Sequence, residues 1–123
     1  MNYDDLVKDF IKRFPQWGVI ERKKLKSWSS NWDSPYIYFG DVLNPLLVKK
    51  LTDEENKEEL WGIFNFLEEM ATSNNQEIET ALTDAILEVL GDDKKVLEKA
   101  RALMGKETLK FSHQIERFWG REK

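Results

Sequence analysis

From Leu60 onward, apolar side chains recur every three or four residues. Leu60, Ile63, Phe64, Leu67, Met70 and Ala71 keep that spacing, and Trp61 and Phe66 flank the stripe on opposite sides. At about 100° per residue the spacing predicts an α-helix. Its apolar arc exceeds half the circumference, and only Glu58, Gly62, Asn65 and Glu69 form a polar strip. A helix this apolar needs neighbours on several sides, so it is expected at the centre of the fold. Asp53, Glu54 and Glu55 stand at its start, where the helix dipole favours anions. After the polar turn Ser73-Asn74-Asn75, a second helix is predicted with Ile78, Ala81, Leu82, Ala85, Ile86, Val89 and Leu90 facing inward. Gly91 is its expected stop, in the left-handed conformation that glycine accepts. A connection this short predicts an antiparallel hairpin.

The flanking segments read as helices too. Asn2 suits a cap, and Tyr3, Leu6, Val7, Phe10, Ile11 and Phe14 form an apolar face before Pro15. Residues 16–34 are the least regular, with a short helix expected around Val19–Ser27. Tyr36-Ile37-Tyr38-Phe39 suits a strand by composition, but no second strand exists to pair with it. A helix is therefore expected, with Phe39, Val42, Leu43, Leu46, Leu47 and Leu51 inward. Pro45 should break or kink it, with Asn44 capping a new helix. Val96, Leu97, Ala100, Leu103 and Met104 mark a short basic helix. A last helix carries Thr108, Phe111, Ile115, Phe118 and Trp119 on one expected inner face, with Gly120 as its end. The expectation is an all-α single domain over residues 1–123, with five to seven helices packed as antiparallel hairpins. A short α-solenoid-like stack is one geometry open to such hairpins.

Charge changes this picture more than composition does. The net formal charge is −4 over 123 residues. Residues 53–93 hold 13 acidic and 1 basic side chain, whereas 1–52 hold 9 basic and 6 acidic and 94–123 hold 9 basic and 4 acidic. Glu77, Asp84 and Glu88 fall on one flank of the second hairpin helix, and Asp92 and Asp93 extend the charge past Gly91. This acidic block is either a solvated face balanced by its neighbours or a surface that steers a partner. In residues 17–32, Trp17, Trp28 and Trp32 interleave with Arg22, Lys23, Lys24 and Lys26. That mixture can bind single-stranded nucleic acid. The basic run is short and the chain acidic, so tryptophans tucked onto the core are the favoured reading.

Candidate chemistry narrows the field. There is no cysteine and one histidine, His113, which leaves no thiolate site and no Cys–His pair. His113 lies off the apolar face and reads as a surface residue. No phosphate loop, HExxH pair or GxSxG elbow occurs. Glu68-Glu69 and Asp92-Asp93 are paired carboxylates, but helix neighbours point about 100° apart, and the second pair lacks the alternating ligands of a calcium loop. Neither a metal nor a cofactor is expected, nor an enzyme. No apolar run approaches the roughly 20 residues that span a bilayer, and the start lacks the features of a signal peptide. The expected compartment is the cytoplasm, without membrane contact.

The run Glu77–Asp93, EIETALTDAILEVLGDD, followed by Arg101-Ala102-Leu103-Met104-Gly105, resembles small all-α immunity proteins encoded beside bacterial polymorphic toxins. The similarity spans less than a third of the chain. It implies a cytoplasmic protein, monomeric or weakly dimeric, that binds and neutralises a cognate toxin. A basic toxin suits Glu77, Asp84, Glu88, Asp92 and Asp93 as contact residues, because toxins that attack nucleic acid must themselves meet phosphates. Two alternatives stay open: an α-helical adaptor or regulatory module with an apolar groove, and nucleic-acid binding through residues 17–32.

Overall fold

The computed structural model describes residues 1–16, 35–54 and 56–121. Those residues hold six helices and no strand. Helix α1 is a 3-10 turn, Tyr3–Asp5, running into Leu6–Arg13. Helix α2 runs from Pro35–Tyr38 through a π-helical segment, Phe39–Leu43, into Asn44–Asp53. Helix α3 is Lys57–Ala71. Helix α4 runs from Gln76–Thr80 through a second π segment, Ala81–Leu87, into Glu88–Leu90. Helices α5 and α6 are Lys94–Arg101 and Lys106–Phe118. The short helix expected around Val19–Ser27, the basic and tryptophan-rich run 17–32 and the side chain of Val42 lie outside the described residues.

Short polar side chains start the helices. Asn2, Asn56, Asn75 and Asp93 each accept backbone N–H groups in the first turn of α1, α3, α4 and α5. A helix start leaves those donors without partners in its own ladder.

Helix α3 occupies the centre, as its wide apolar arc predicts. Leu60, Ile63, Phe64, Phe66, Leu67, Met70 and Ala71 are buried, and Trp61 alone of its large apolar residues is exposed. Phe10 of α1 joins three helices through its ring. Its centroid lies 5.2 Å from Phe66, 5.7 Å from Phe39 and 6.2 Å from Tyr38, within the range that favours edge-to-face pairs. On the surface, Arg13 pairs with Glu69 and stacks over the Phe66 ring at 5.1 Å, tying α1 to α3.

The two π segments pack on each other and correct two sequence expectations. Helix α2 does not break at Pro45. The proline ring crowds the carbonyl four residues back, which is Asp41, and Asp41 lies inside the π segment, where wider winding accommodates the conflict. Asn44 is therefore no cap. It is fully buried, and its Nδ2 donates to the carbonyl of Ala85 at 2.5 Å and of Ile86 at 3.4 Å, both in the π segment of α4. Gly40 faces the same place: a Cβ there would lie 3.8 Å from the Ala85 Cβ. The second correction is one of phase. A π turn takes an extra residue, so the inward face rotates along α4. Leu87 is buried, and Val89, expected inward, is 40% exposed.

Gly91 closes α4 for a different reason from the one expected. Its φ is −77°, not left-handed. A Cβ there would collide with the carboxylate of Glu116, so a larger residue would have to displace the Glu116–Arg121 pair.

The largest departure is α6. Its expected inner face was Thr108, Phe111, Ile115, Phe118 and Trp119. The residues it buries are Thr108, Ser112 and Glu116. Phe111 and Ile115 are half-buried, whereas Phe118 is 76% and Trp119 52% exposed. Helix α6 thus contributes no fully buried apolar side chain to the core. No helix among the described residues is long and apolar enough to cross a membrane.

A central α3 makes a testable demand. Phe64 is fully buried, so Phe64→Ala should destabilise by about 3–5 kcal/mol, lowering the melting point by roughly 10 °C or more. A variant melting within a degree or two of the parent would contradict this placement.

Candidate functional site

Helix α6 docks by its polar stripe: Thr108 and Ser112 meet side chains of other helices, and Glu116 meets Arg121 just past the helix's own end. The helix begins after Gly105, which has no side chain to cap it. Glu68 of α3 supplies the cap. Its Oε2 accepts the Glu107 N–H at 3.0 Å, and its Oε1 accepts the Thr108 N–H at 2.8 Å and the Thr108 hydroxyl at 2.7 Å. A Cβ on Gly105 would collide with this carboxylate. Burial pushes the Glu68 pKa up, but the three hydrogen bonds outweigh it and hold the pKa below its ordinary value. One turn later, Ser112 Oγ accepts from Arg101 Nε of α5 at 3.1 Å. Two turns later, Glu116 pairs with Arg121 at 2.6 Å. Arg121 also reaches Asp92 at 2.8 Å and the Glu88 carbonyl at 3.1 Å. It therefore fastens the end of α6 to the α4–α5 turn.

With its polar side turned in, α6 presents its aromatic side. The rings of Phe118 and Trp119 stand edge to face, 5.4 Å apart. Phe111, Ile115 and Phe118 form one wall of a trough of about 590 Å³, and Gln76, Glu79, Thr80 and Thr83 of α4 form the other. Across the first turns of α4 lies a second hollow of about 390 Å³, bounded by Tyr3, Tyr36 and Glu77. Gln76 and Thr80 border both hollows, so the two are neighbours across the first turns of α4. Among the described residues, neither is lined by a lysine or an arginine.

The five acidic residues singled out from the sequence do not form one free stripe. Glu77 is exposed and lines the smaller hollow. Asp84 is half-buried and accepts the Thr83 hydroxyl at 3.3 Å. Glu88 is half-buried beside Arg121. Asp92 is taken up by the Arg121 ion pair, and Asp93 accepts the N–H groups of Lys95 and Val96 as the cap of α5. Other carboxylates of the acidic block are also engaged internally: Glu59 pairs with Lys50 at 3.0 Å, and Glu69 pairs with Arg13. Among the described residues, no group of three or more His, Asp or Glu side chains is placed to hold a metal ion.

The trough itself was not foreseen. Helical spacing places Phe118 in the core, whereas it lines the trough opposite Glu79. A signal was present, because Thr108, Ser112 and Glu116 recur every four residues as regularly as the aromatics do. Thr108 is inward as expected, whereas polarity alone argues for turning Ser112 and Glu116 outward.

A family model matches this surface and nearly all of the chain with it, from residue 7 to residue 120. The chain belongs to the DUF7674 family. That family is described as a domain of unknown function, and its match runs from α1 to the end of α6. No curated protein and no solved structure matches the chain. The family description carries no link to immunity proteins.

The Glu68 cap predicts a pH signature. A carboxylate whose pKa is depressed in the folded state contributes stability that is complete above its unfolded pKa and lost as pH falls through the folded value. Glu68→Gln should lower stability at neutral pH by about 1–2 kcal/mol. The gap between the parent and the variant should narrow as pH falls below the ordinary value of 4.5. Denaturant titrations at neutral and acid pH measure it, and a gap that stays constant would contradict the charged cap.

Proposed function

We propose that this protein acts without catalysis, by binding another protein, and that α4 and α6 carry the contact surface. The observation behind this reading is the outward aromatic face of α6, where Phe118 and Trp119 stand in solvent beside the trough. Exposed aromatic patches mark interaction sites, and such side chains dominate binding energy when a partner covers them.

The finer form of the proposal is an immunity protein of a bacterial toxin system. Its support is the resemblance carried by Glu77–Asp93 with Arg101–Gly105, and the charge of α4, which has four carboxylates and no lysine or arginine between Gln76 and Leu90. A toxin with a basic substrate site would be drawn to such a helix by electrostatic steering and blocked by it. The second reading is an adaptor with no single obligate partner, and the trough between α4 and α6 is what favours it. The two differ in one experiment. The product of a gene adjacent to this one, if it is the toxin, arrests growth unless this chain is co-expressed, and the two co-purify as a complex. Growth arrest that co-expression does not relieve, with no complex formed, would overturn the immunity form.

The acidic flank predicts a kinetic effect. In the triple variant Glu77→Gln, Asp84→Asn, Glu88→Gln, association with a basic partner should slow and its salt dependence should flatten. The melting temperature should fall by a few degrees at most, because Glu77 is exposed and the half-buried Asp84 and Glu88 are replaced by amides of the same shape. Stopped-flow mixing at low salt measures it. An unchanged association rate would make the flank a solvated face only.

A further inference from the structure

We infer that the two neighbouring hollows astride α4 form one groove for a basic amphipathic segment of a partner protein. Its apolar side chains would lie against Phe111, Ile115 and Phe118, and its lysine or arginine heads would meet Glu77 and Glu79. This rests on reading the domain as a binding protein, and not on the partner being a toxin.

Shape and charge choose the occupant together. The groove runs from Tyr3 and Tyr36, over Gln76 and Thr80, to Phe118. It is an elongated surface, open to a chain segment rather than closed around a small molecule. In one wall, Phe111 and Ile115 are part-buried against the core, and Phe118 is exposed. Among the described residues, the charged lining residues of the groove are Glu77 and Glu79. The α6 cations lie about a quarter turn or more round the helix from Phe111 and Phe118. There Lys110 pairs with Glu107 at 3.3 Å, and Arg117 Nε reaches the His113 carbonyl at 3.4 Å. Carboxylates between aromatic rings suit a cationic head whose stem packs on the rings. The same charge disfavours other occupants. A nucleic acid or an anionic lipid surface would meet like charge. A second copy docking by the same face would set acidic α4 against acidic α4, since a two-fold contact pairs each patch with itself.

A fluorescent synthetic peptide of about 18 residues, long enough to hold a helix, tests this. It carries leucine at helical i, i+3, i+4, i+7 spacing and lysine elsewhere, and is titrated into the full chain at low and physiological salt. We expect a 1:1 complex. Phe118→Ser should weaken it about ten-fold. The double variant Glu77→Gln, Glu79→Gln should weaken it several-fold and flatten its salt dependence. Glu58→Gln removes a charge from the exposed first turn of α3, away from the groove, and should leave binding unchanged. Melting curves of all variants should match the parent. Binding that ignores Phe118→Ser, or falls equally with Glu58→Gln, would overturn the groove as non-specific charge attraction. So would a dimer of the parent chain that Phe118→Ser dissociates. A peptide that fails to bind while a cognate protein complex forms overturns the groove and leaves the proposed function standing. A peptide that binds in the groove while no toxin is neutralised supports the groove against the immunity form.

Discussion

The carboxylate of Glu68 at the N-terminus of α6 decides which way that helix faces, and the outer surface of the domain follows from it. A helix start is a cluster of unpaired N–H donors at the positive end of a dipole. Gly105 cannot answer them, so the anion comes from the central helix α3. Once that end is fixed, the register of α6 is set. Ser112 falls opposite Arg101, and Glu116 falls where Arg121 can close over it. The two glycines are the spatial counterpart of the two carboxylates. Gly105 leaves room for Glu68 and Gly91 for Glu116, so a methyl group at either position would push the facing carboxylate out of place. Because these bonds are directional, the stripe turned inward is polar. Of the apolar stripe, which a purely hydrophobic packing would bury, Phe111 and Ile115 are only part-buried and Phe118 and Trp119 are left to solvent.

Beneath that outer layer the fold follows hydrophobic periodicity. The stripe of α3, the face of α1 and the inward residues of α5 stand where spacing placed them, because those helices are regular and their burial is driven by apolar area. Periodicity lost its hold at the π segments. Their extra residue per turn is invisible to a 3.6-residue pattern, so Leu87 and Val89 exchanged places. The helix break expected at Pro45 became a continuous helix bridged by the buried Asn44 amide. That amide was legible as a cap by residue type; its donation to Ala85 is a long-range contact that no local pattern encodes.

The candidate surface was legible only in part, for the same reason. Acidic excess in the α3–α4 hairpin was plain from the sequence, but not its distribution. Asp92, Asp93, Glu68 and Glu69 serve folding through a clamp, a cap, a tertiary cap and an ion pair. Glu77 and Glu79 are the carboxylates left beside the hollows. Which side of α6 faces them depends on three polar contacts made across 11 to 40 residues of sequence or within its own last turn. Residue polarity alone points the other way. The function proposed here therefore depends on that orientation of α6 more than on any count of charges.

Thiol reactivity tests the orientation directly, since the chain has no cysteine of its own. Two single-cysteine variants, Phe118→Cys and Ser112→Cys, probe opposite sides of α6. In the native protein the thiol at position 118 should react with a disulfide reagent at close to the rate of an unfolded chain. The thiol at position 112 should be protected by orders of magnitude until the protein is denatured. Rapid reaction at 112 with protection at 118 would mean that the aromatic side of α6 faces the core, and the account of this surface would be wrong.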